Sequence, residues 1–486
     1  MNIADVLIEH AHARPQHPAM IHGSRVIAYR EMDALVRRTA TYLQQLGIGS
    51  RAIVGVCLRD TPEHLVVLYA IARSGAALLP MDHRWTAEEK RRVAEFFAAA
   101  LVLREADDAL SPSLRSIAVD QQWHRAVAAT APADSFPSDA EADFCLSLSS
   151  GTTGIPKGPM ITHGHMAARY VAQRKSLGLR PEDRFMVALP LYFGAGRNLT
   201  LGEVNNGATL VFNPPPYEPE QIVQVIAEQR IDVTLLVPTV LRRLLSIAPS
   251  HGHLLPQLRL MFSTGAVLHP DERKAVLARV SPALCNYYGS TEGGGLTLLR
   301  PADPPEVEDS VGRPIHAMDV EIVDPEDRPV PPGTVGRVRY RGPTVADSFF
   351  RNPEASKSAF RDGWFYPGDL GRLDAGGYLY LAGRAKDMII RGGINIYPEE
   401  IEQTLLSHDA VGDAAVVAWP SKERGEEIAA FVVAKRQVSG GELVDHCRKF
   451  LAPYKVPRAV FFLDQFPKSG MGKVLKPELA KQLPPL

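Results

Sequence analysis

The stretch AIVGVCLRDTPEHLVVLYAIARSGAALLPM (52–81) predicts a complete strand–helix–strand unit. It begins with a short apolar run of strand length. Thr61 and Pro62 then favour a helix start, because the threonine side chain can cap the first turn and proline suits the first helical position. Gly75 can end the helix before a second apolar run. Similar runs alternate with helical patterns along the chain, which indicates an α/β fold with a mostly parallel sheet.

The length of the chain predicts more than one domain. Its 486 residues exceed what one compact core usually supports. Near the C terminus, short apolar strands at 414–419 and 428–434 precede a helical pattern, which is typical of a small α+β unit. We therefore expect a large multi-layer α/β domain with parallel or mixed sheets over residues 1–385. A small α+β domain on a hinge would follow over residues 386–486.

The charge balance and the cysteines exclude several classes of protein. Lys and Arg total 54 against 55 Asp and Glu, so the formal net charge of −1 gives no broad attraction to nucleic acid or anionic membranes. The sequence has neither an apolar run of membrane-spanning length nor a signal-peptide pattern at its start. Its 4 cysteines are scattered and form no CxxC pair, which fits a reducing cytoplasm. The oligomeric state is left open.

The segment SSGTTGIPKG (149–158) has the composition of a loop that binds a polyphosphate. Glycines let the backbone approach an anion, hydroxyl and amide groups donate hydrogen bonds, and Lys157 adds a positive charge. The segment is not a Walker A loop, because no GK[ST] ends it and Pro156 interrupts the helix start. Taken alone, it could equally be a polar turn.

Four further motifs follow this loop in a fixed order: YYGSTEGG (287–294), GWFYPGDLG (363–371), GRAKDMIIRGGINIYPEEIE (383–402) and PKSGMGK (467–473). Together the five motifs resemble those of the adenylate-forming (AMP-binding) superfamily, in its acyl-CoA synthetase branch. The resemblance covers nearly the whole chain. It implies an ATP-dependent carboxylic acid:CoA ligase that makes an acyl-adenylate, releases pyrophosphate, and then forms the coenzyme A thioester with release of AMP. ATP, Mg²⁺ and coenzyme A are the cofactors that it implies.

The resemblance also implies a nucleotide site. Attack of one anion on another requires charge neutralisation and positioning. On this basis Thr291 touches the α-phosphate, Glu292 and Thr152 ligate magnesium, and Lys473 is the catalytic cation. Core packing is the alternative for Tyr288, whose neighbour Tyr287 could take the same place against adenine. The residues expected to bind ATP or AMP are Ser150, Gly151, Thr152, Thr153, Lys157, Gly265, Ala266, Tyr288, Asp369 and Arg384.

Thioester formation needs a channel for the thiol, and the resemblance implies that the small domain rotates about Lys386 to open one. Phe193, Gly392 and Gly393 would line this channel. Phe193 is a departure from many ligases of this branch, which have a histidine at that position. The acyl pocket would be formed by Arg197, Val237, Ser263, Thr264 and Gly294.

Arg197 stands in LPLYFGAGRN (189–198), where a buried cation needs an anionic or carbonyl partner. Two partners remain open: a polar group on the substrate, and a protein carboxylate such as Glu203. The same stretch has no evident aspartate to hold an α-ammonium group, which favours a free carboxylic acid over an amino acid. The sequence does not say which acid is used.

Three alternatives to a coenzyme A ligase are left by these motifs. The first is an enzyme that loads the phosphopantetheine thiol of a carrier protein. The second is a luciferase-like oxygenase. The third is a non-catalytic binding protein, which intact Lys473, Glu292 and Asp369 disfavour.

Overall fold

The structure is a computed structural model that describes residues 1–108, 110–133, 135–148, 158–391, 394–421, 425–451, 453–468 and 473–486. The chain forms two compact units. The first comprises Met1–Val320 and Tyr340–Phe365, and the second Glu321–Arg339 and Tyr366–Leu486. The mixed α/β architecture predicted from the sequence is confirmed. The boundary near residue 385 stays a prediction.

Helices and strands alternate along the first unit, and strands predominate after it. The helices are α1 (Asp5–Ala13), α2 (Tyr29–Gln45), α3 (Pro62–Ser74), α4 (Ala87–Phe96), α5 (Gln121–Ala129), α6 (His163–Leu177), α7 (Gly194–Asn206), α8 (Pro219–Glu228), α9 (Pro238–Ile247), α10 (Pro270–Arg279), α11 (Pro353–Ala359), α12 (Pro398–Leu406), α13 (Gly440–Phe450) and α14 (Lys476–Ala480). The strands are β1 (Pro18–His22), β2 (Arg25–Ala28), β3 (Ile53–Cys57), β4 (Ala77–Pro80), β5 (Leu101–Arg104), β6 (Ser116–Ala118), β7 (Asp143–Leu146), β8 (Met160–Thr162), β9 (Arg184–Val187), β10 (Thr209–Phe212), β11 (Val233–Leu235), β12 (Leu260–Ser263), β13 (Leu284–Ser290), β14 (Gly294–Leu299), β15 (Arg313–Pro314), β16 (Asp319–Val323), β17 (Gly336–Arg341), β18 (Phe360–Arg361), β19 (Trp364–Phe365), β20 (Asp369–Leu373), β21 (Leu379–Arg384), β22 (Ile389–Arg391), β23 (Ile394–Ile396), β24 (Val411–Ser421), β25 (Gly425–Ala434) and β26 (Ala459–Phe462).

The stretch 52–81 folds as β3, α3 and β4, as its sequence predicts. The Thr61 side chain accepts a hydrogen bond from the His64 amide at 3.4 Å. Gly75 ends the helix at φ +82°, where a residue with a side chain would be strained. In α3 every residue except Glu63 is buried, so this helix is enclosed on all sides. That burial explains why its apolar residues do not follow a single stripe.

Two sheets of the first unit consist mainly of parallel strands. Their strand orders are β15-β14-β13-β12-β11-β9-β10-β1-β2 and β6-β5-β3-β4-β7-β8. Strands β9, β11, β12 and β13 are parallel neighbours in the first of these orders. Their carboxyl ends therefore meet at one edge, which is where open α/β sheets bind their ligands.

The second unit is a small α+β assembly. Its strand order β23-β22-β25-β24, with β26 beside β25, forms one sheet. Helices α12 and α13 cover an apolar core that includes Ile401, Val416 and Leu443. Strands β20 and β21 pair antiparallel in the same unit. Across the described residues of both units, no helix is long and apolar enough to cross a lipid bilayer.

Candidate active site

The first unit gathers many of the predicted site residues at the carboxyl edge of its parallel strands. Each of them lies at the end of a strand of that sheet, on the connection that follows it, or in the first turn of the next helix. After β9 come Phe193 and Arg197, after β11 comes Val237, at the end of β12 come Ser263, Thr264, Gly265 and Ala266, and at the end of β13 come Tyr288, Thr291 and Glu292.

A tight turn between β13 and β14 presents Thr291 and Glu292, which are both half-buried. The glycines around them leave no room for side chains. A Cβ at Gly289 would lie 2.2 Å from the carbonyl oxygen of Gly294, and one at Gly293 would lie 2.6 Å from the Tyr340 ring. The turn therefore holds the backbone on both sides of the predicted magnesium ligand close to its neighbours.

Arg169, on α6, binds the main chain of this turn. The sequence analysis did not predict it as a site residue. Its guanidinium donates from Nη2 to the main-chain oxygens of Glu292 at 2.6 Å and Thr291 at 3.3 Å. Its Nε donates to the carbonyl oxygen of Thr344 at 2.9 Å. Burial lowers the pKa of Arg169 to about 10. The one sequence feature that could have indicated this role is an arginine within a helix whose neighbouring residues are buried.

The two adjacent tyrosines differ in their surroundings. Tyr287 is 6% exposed, and its ring lies 6.1 Å from that of Phe262 in an edge arrangement. A Cβ at Gly295 would collide with its hydroxyl group at 1.7 Å. Tyr288 is half-buried. Of the pair, Tyr287 is the core residue and Tyr288 keeps surface for a ligand.

Arg197 is 1% exposed and binds main-chain and hydroxyl oxygens. Its Nη1 donates to the carbonyl oxygens of Leu191 at 3.2 Å and Tyr192 at 3.0 Å, and its Nη2 donates to Ser147 Oγ at 2.8 Å. Its Nε is buried with no hydrogen-bond partner among the described residues. Within that part of the chain it makes no ion pair, so the alternative of a salt bridge to Glu203 is wrong. Burial instead raises the pKa of the Glu203 carboxyl well above its usual range.

Asp60 supports the same segment from the end of β3. Its Oδ1 accepts a hydrogen bond from the Leu191 amide at 2.7 Å. The side chain is buried, and burial is the main cause that raises its pKa to about 6, with the charge of Asp82 adding to the effect. Asp60 and Arg197 thus hold the amide and the carbonyl of Leu191, just before Phe193.

The second unit carries the predicted ribose residues and two predicted lysines. Asp369 and Arg384 lie opposite each other on β20 and β21, and Arg384 Nε is 2.7 Å from Asp369 Oδ1. Arg384 Nη1 also donates to the Pro367 carbonyl oxygen at 3.0 Å. Lys386, in a short 3₁₀ turn, and Lys473 are both exposed. The structure thus brings Asp369 and Arg384 together within this unit.

Several predicted residues lie outside the described part of the chain: Ser150, Gly151, Thr152, Thr153, Lys157, Gly392 and Gly393. The carboxylate of Glu292 is a ligand that suits magnesium. Among the described residues no cluster of three or more His, Cys, Asp or Glu side chains could hold a metal ion. One carboxylate completed by substrate phosphates is a usual way to bind Mg²⁺.

Comparison with known proteins agrees with this arrangement. The family model described as AMP-binding enzyme matches residues 7–350, and that described as AMP-binding enzyme C-terminal domain matches residues 400–473. An indoleacetate–CoA ligase from Aromatoleum aromaticum is 31% identical over 99% of this chain and 98% of its own length.

Solved structures resemble the chain over almost its full length. ATP-bound MatB from Rhodopseudomonas palustris has a TM-score of 0.91 at 27% identity, covering 99% of both chains. The o-succinylbenzoate CoA synthetase MenE from Bacillus subtilis, in complex with its acyl-adenylate intermediate, has a TM-score of 0.88 at 26% identity, covering 98% of this chain and 97% of that one.

Proposed function

This chain belongs to the AMP-binding enzyme family, and we propose how its own residues join a carboxylic acid to coenzyme A. The activity is that of an ATP-dependent acid–thiol ligase, which proceeds through an acyl-adenylate. The observation that carries the assignment of residues is the glycine-lined turn that presents Thr291 and Glu292 at the carboxyl edge of the parallel strands.

In the first step the substrate carboxylate attacks the α-phosphorus of ATP, and pyrophosphate leaves. Glu292 would hold magnesium through its carboxylate, and the Thr291 hydroxyl would donate to an α-phosphate oxygen. When bound, magnesium neutralises charge on the phosphate oxygens. Lys473 places a flexible cation on the oxygens that gain charge in the transition state. Lys473 is exposed to solvent.

Separate motifs supply the groups proposed to contact the nucleoside. Tyr288 offers a partly exposed aromatic face to the adenine. Asp369 accepts hydrogen bonds from the ribose hydroxyls, and its ion pair with Arg384 fixes the orientation of the carboxylate. The short loop at Gly265 and Ala266 contributes backbone groups to the same nucleotide. These roles are supported by the match of the motifs and by the local geometry.

In the second step the thiol attacks the acyl carbonyl carbon and AMP leaves. We place the hinge for this step at Lys386, in the 3₁₀ turn directly after the Asp369–Arg384 pair. Phe193, half-buried at the start of α7, would form one wall of the thiol channel, with Gly392 and Gly393 completing it. The two steps then use different positions of the same small domain. We assign the protein to the cytoplasm.

The acid would bind among Val237, Ser263, Thr264 and Gly294, beside Arg197. Three of the Arg197 hydrogen bonds go to the protein, which leaves its buried Nε as the donor for a substrate oxygen. An acid that carries a second polar group is therefore the proposed substrate class. The thiol is that of coenzyme A, as in the relatives named above.

The direct test is a panel of aromatic, aliphatic and dicarboxylic acids assayed with ATP, Mg²⁺ and coenzyme A. We expect AMP and an acyl-CoA in equal amounts for at least one acid, with no AMP when the acid is omitted. AMP release with a carrier protein but not with coenzyme A would instead identify a carrier-loading enzyme. Acid-independent ADP release would refute adenylation.

A further inference from the structure

We propose that Arg169 is a positioning residue that holds the magnesium-binding turn in place, an inference that rests on the proposed role of Glu292. The side chain of Arg169 does not reach the protein surface. It lies 1% exposed on α6, behind the turn, and contacts the main chain of the two residues that would face ATP. Its effect on the reaction would therefore pass through the backbone at Thr291 and Glu292.

The geometry of these contacts depends on a guanidinium group. Nε and Nη2 donate in different directions, to Thr344 on one side and to Thr291 and Glu292 on the other. A planar fork can make these bonds together, whereas the ammonium group of lysine is a single point on a flexible stem. Gly294 also packs closely, since a Cβ there would lie 3.1 Å from Arg169 Nε. The turn is thus built around the shape of this side chain.

The charge of Arg169 is unusual for a purely structural residue. A buried cation normally requires an ion pair, because removing it from water is costly. Within the described residues Arg169 forms no salt bridge, and its Nη1 has no hydrogen-bond partner. The second buried guanidinium, that of Arg197 on the neighbouring helix α7, lies close enough to repel it.

The two arginines are attached to the two segments predicted to hold phosphates. Arg169 binds the turn at Thr291 and Glu292, and Arg197 binds Ser147, just before the loop 149–157. The charge of Glu292 already acts on Arg169, and a polyphosphate bound at these segments would add further negative charge nearby. A bound polyphosphate would therefore stabilise the buried charge further, and the turn accounts for the need for a guanidinium group.

Arg273 provides a matched control for a substitution. It is also buried, at 6% exposed, and also donates to a main-chain oxygen, that of Arg300 at 3.0 Å. That oxygen lies just beyond the far end of β14, away from the turn. Arg169→Lys and Arg273→Lys therefore each remove a buried guanidinium that binds one end of the same hairpin. Of the two arginines, only Arg169 contacts the proposed metal ligand.

The experiment measures metal binding without turnover. Mn²⁺ binding in the presence of α,β-methylene ATP is followed by electron paramagnetic resonance, alongside the Mg²⁺ dependence of ATP–pyrophosphate exchange and the melting temperature. For Arg169→Lys we expect metal affinity to fall about 10–100-fold, the usual effect of losing a group that orients a metal ligand. Arg273→Lys should lower the melting temperature while leaving metal affinity unchanged. Arg169→Gln, which also lacks the fork, should repeat the loss.

Two outcomes would overturn the inference. One is a metal affinity for Arg169→Lys and Arg169→Gln equal to that of the unmodified enzyme, and the other is an equal loss in Arg273→Lys. Glu292→Gln distinguishes this inference from the proposed role of Glu292, on which it rests. If that variant keeps normal metal affinity, the role of Glu292 fails and the role of Arg169 fails with it. If it loses metal affinity while the Arg169 variants do not, only the role of Arg169 is refuted.

Discussion

Asp60→Asn should make the protein more stable at neutral pH, although it removes a charged side chain. Asp60 is 4% exposed, and its carboxylate accepts one hydrogen bond, from the Leu191 amide. An asparagine oxygen can accept the same bond. The substitution therefore keeps the contact with the segment that leads to Phe193 and removes only the cost of ionising a buried acid.

The magnitude follows from the pKa of Asp60, which burial raises from 3.8 to about 6 in the folded protein. Between these two pH values the folded state keeps a proton that the unfolded state has lost, so stability falls as pH rises. Above pH 6 to 7 the full cost is present. A pKa difference of about two corresponds to about 3 kcal/mol. Below pH 4 the cost disappears, and the asparagine variant should have no advantage.

The assay compares melting temperatures of the unmodified protein and Asp60→Asn at pH 5.0 and pH 7.5. The variant should gain stability at pH 7.5 and gain less at pH 5.0. Asp183→Asn is the control, because Asp183 is equally buried but bonded to Arg259, and its substitution should destabilise the protein. A gain for Asp60→Asn that is the same at both pH values, or a loss at pH 7.5, would refute the reasoning.

Three further predictions concern the two reaction steps and the substrate. Lys473→Ala should slow adenylate formation by about 10²–10³-fold, while thioester formation from supplied acyl-adenylate survives; an equal fall in both half-reactions would contradict this. Lys386→Pro restricts the backbone at the proposed hinge, so adenylation should persist and thioester formation should drop; retention of both steps would argue against this hinge. Arg197→Leu should cost roughly 2–5 kcal/mol in kcat/KM for an acid with a second polar group and far less for simple monocarboxylic acids; a uniform loss would return Arg197 to a structural role.

The sequence predicted the family, the mixed α/β fold, the ligase activity and its need for ATP, Mg²⁺ and coenzyme A, and all of these are confirmed. Local rules were enough for the unit at 52–81, because the Thr61 cap and the Gly75 turn act within a few residues. The assigned roles of the site residues and the hinge position stay predictions.

Long-range contacts could not be predicted. The bonds from Arg169 to the turn at Thr291 span 122 and 123 residues, and no periodicity in α6 marks its partners. The Arg197–Glu203 ion pair, one of the two alternatives that the sequence left open, was wrong for a simpler reason. Residues six apart on a helix of 3.6 residues per turn point in directions that differ by about 120°. Their side chains therefore face different neighbours.

The burial of α3 on every side has a consequence for how the protein is made. Tyr69, in the middle of that helix, donates its hydroxyl group to the carbonyl oxygen of Leu201, a residue 132 positions later in the chain. At a synthesis rate of about 5–20 residues per second, roughly 7–26 s pass between the two. During that time the nascent chain carries a mostly apolar helix without its final neighbours. Slower translation or added chaperone should therefore raise the recombinant yield. The increase should be larger than the stability of the folded protein alone would predict.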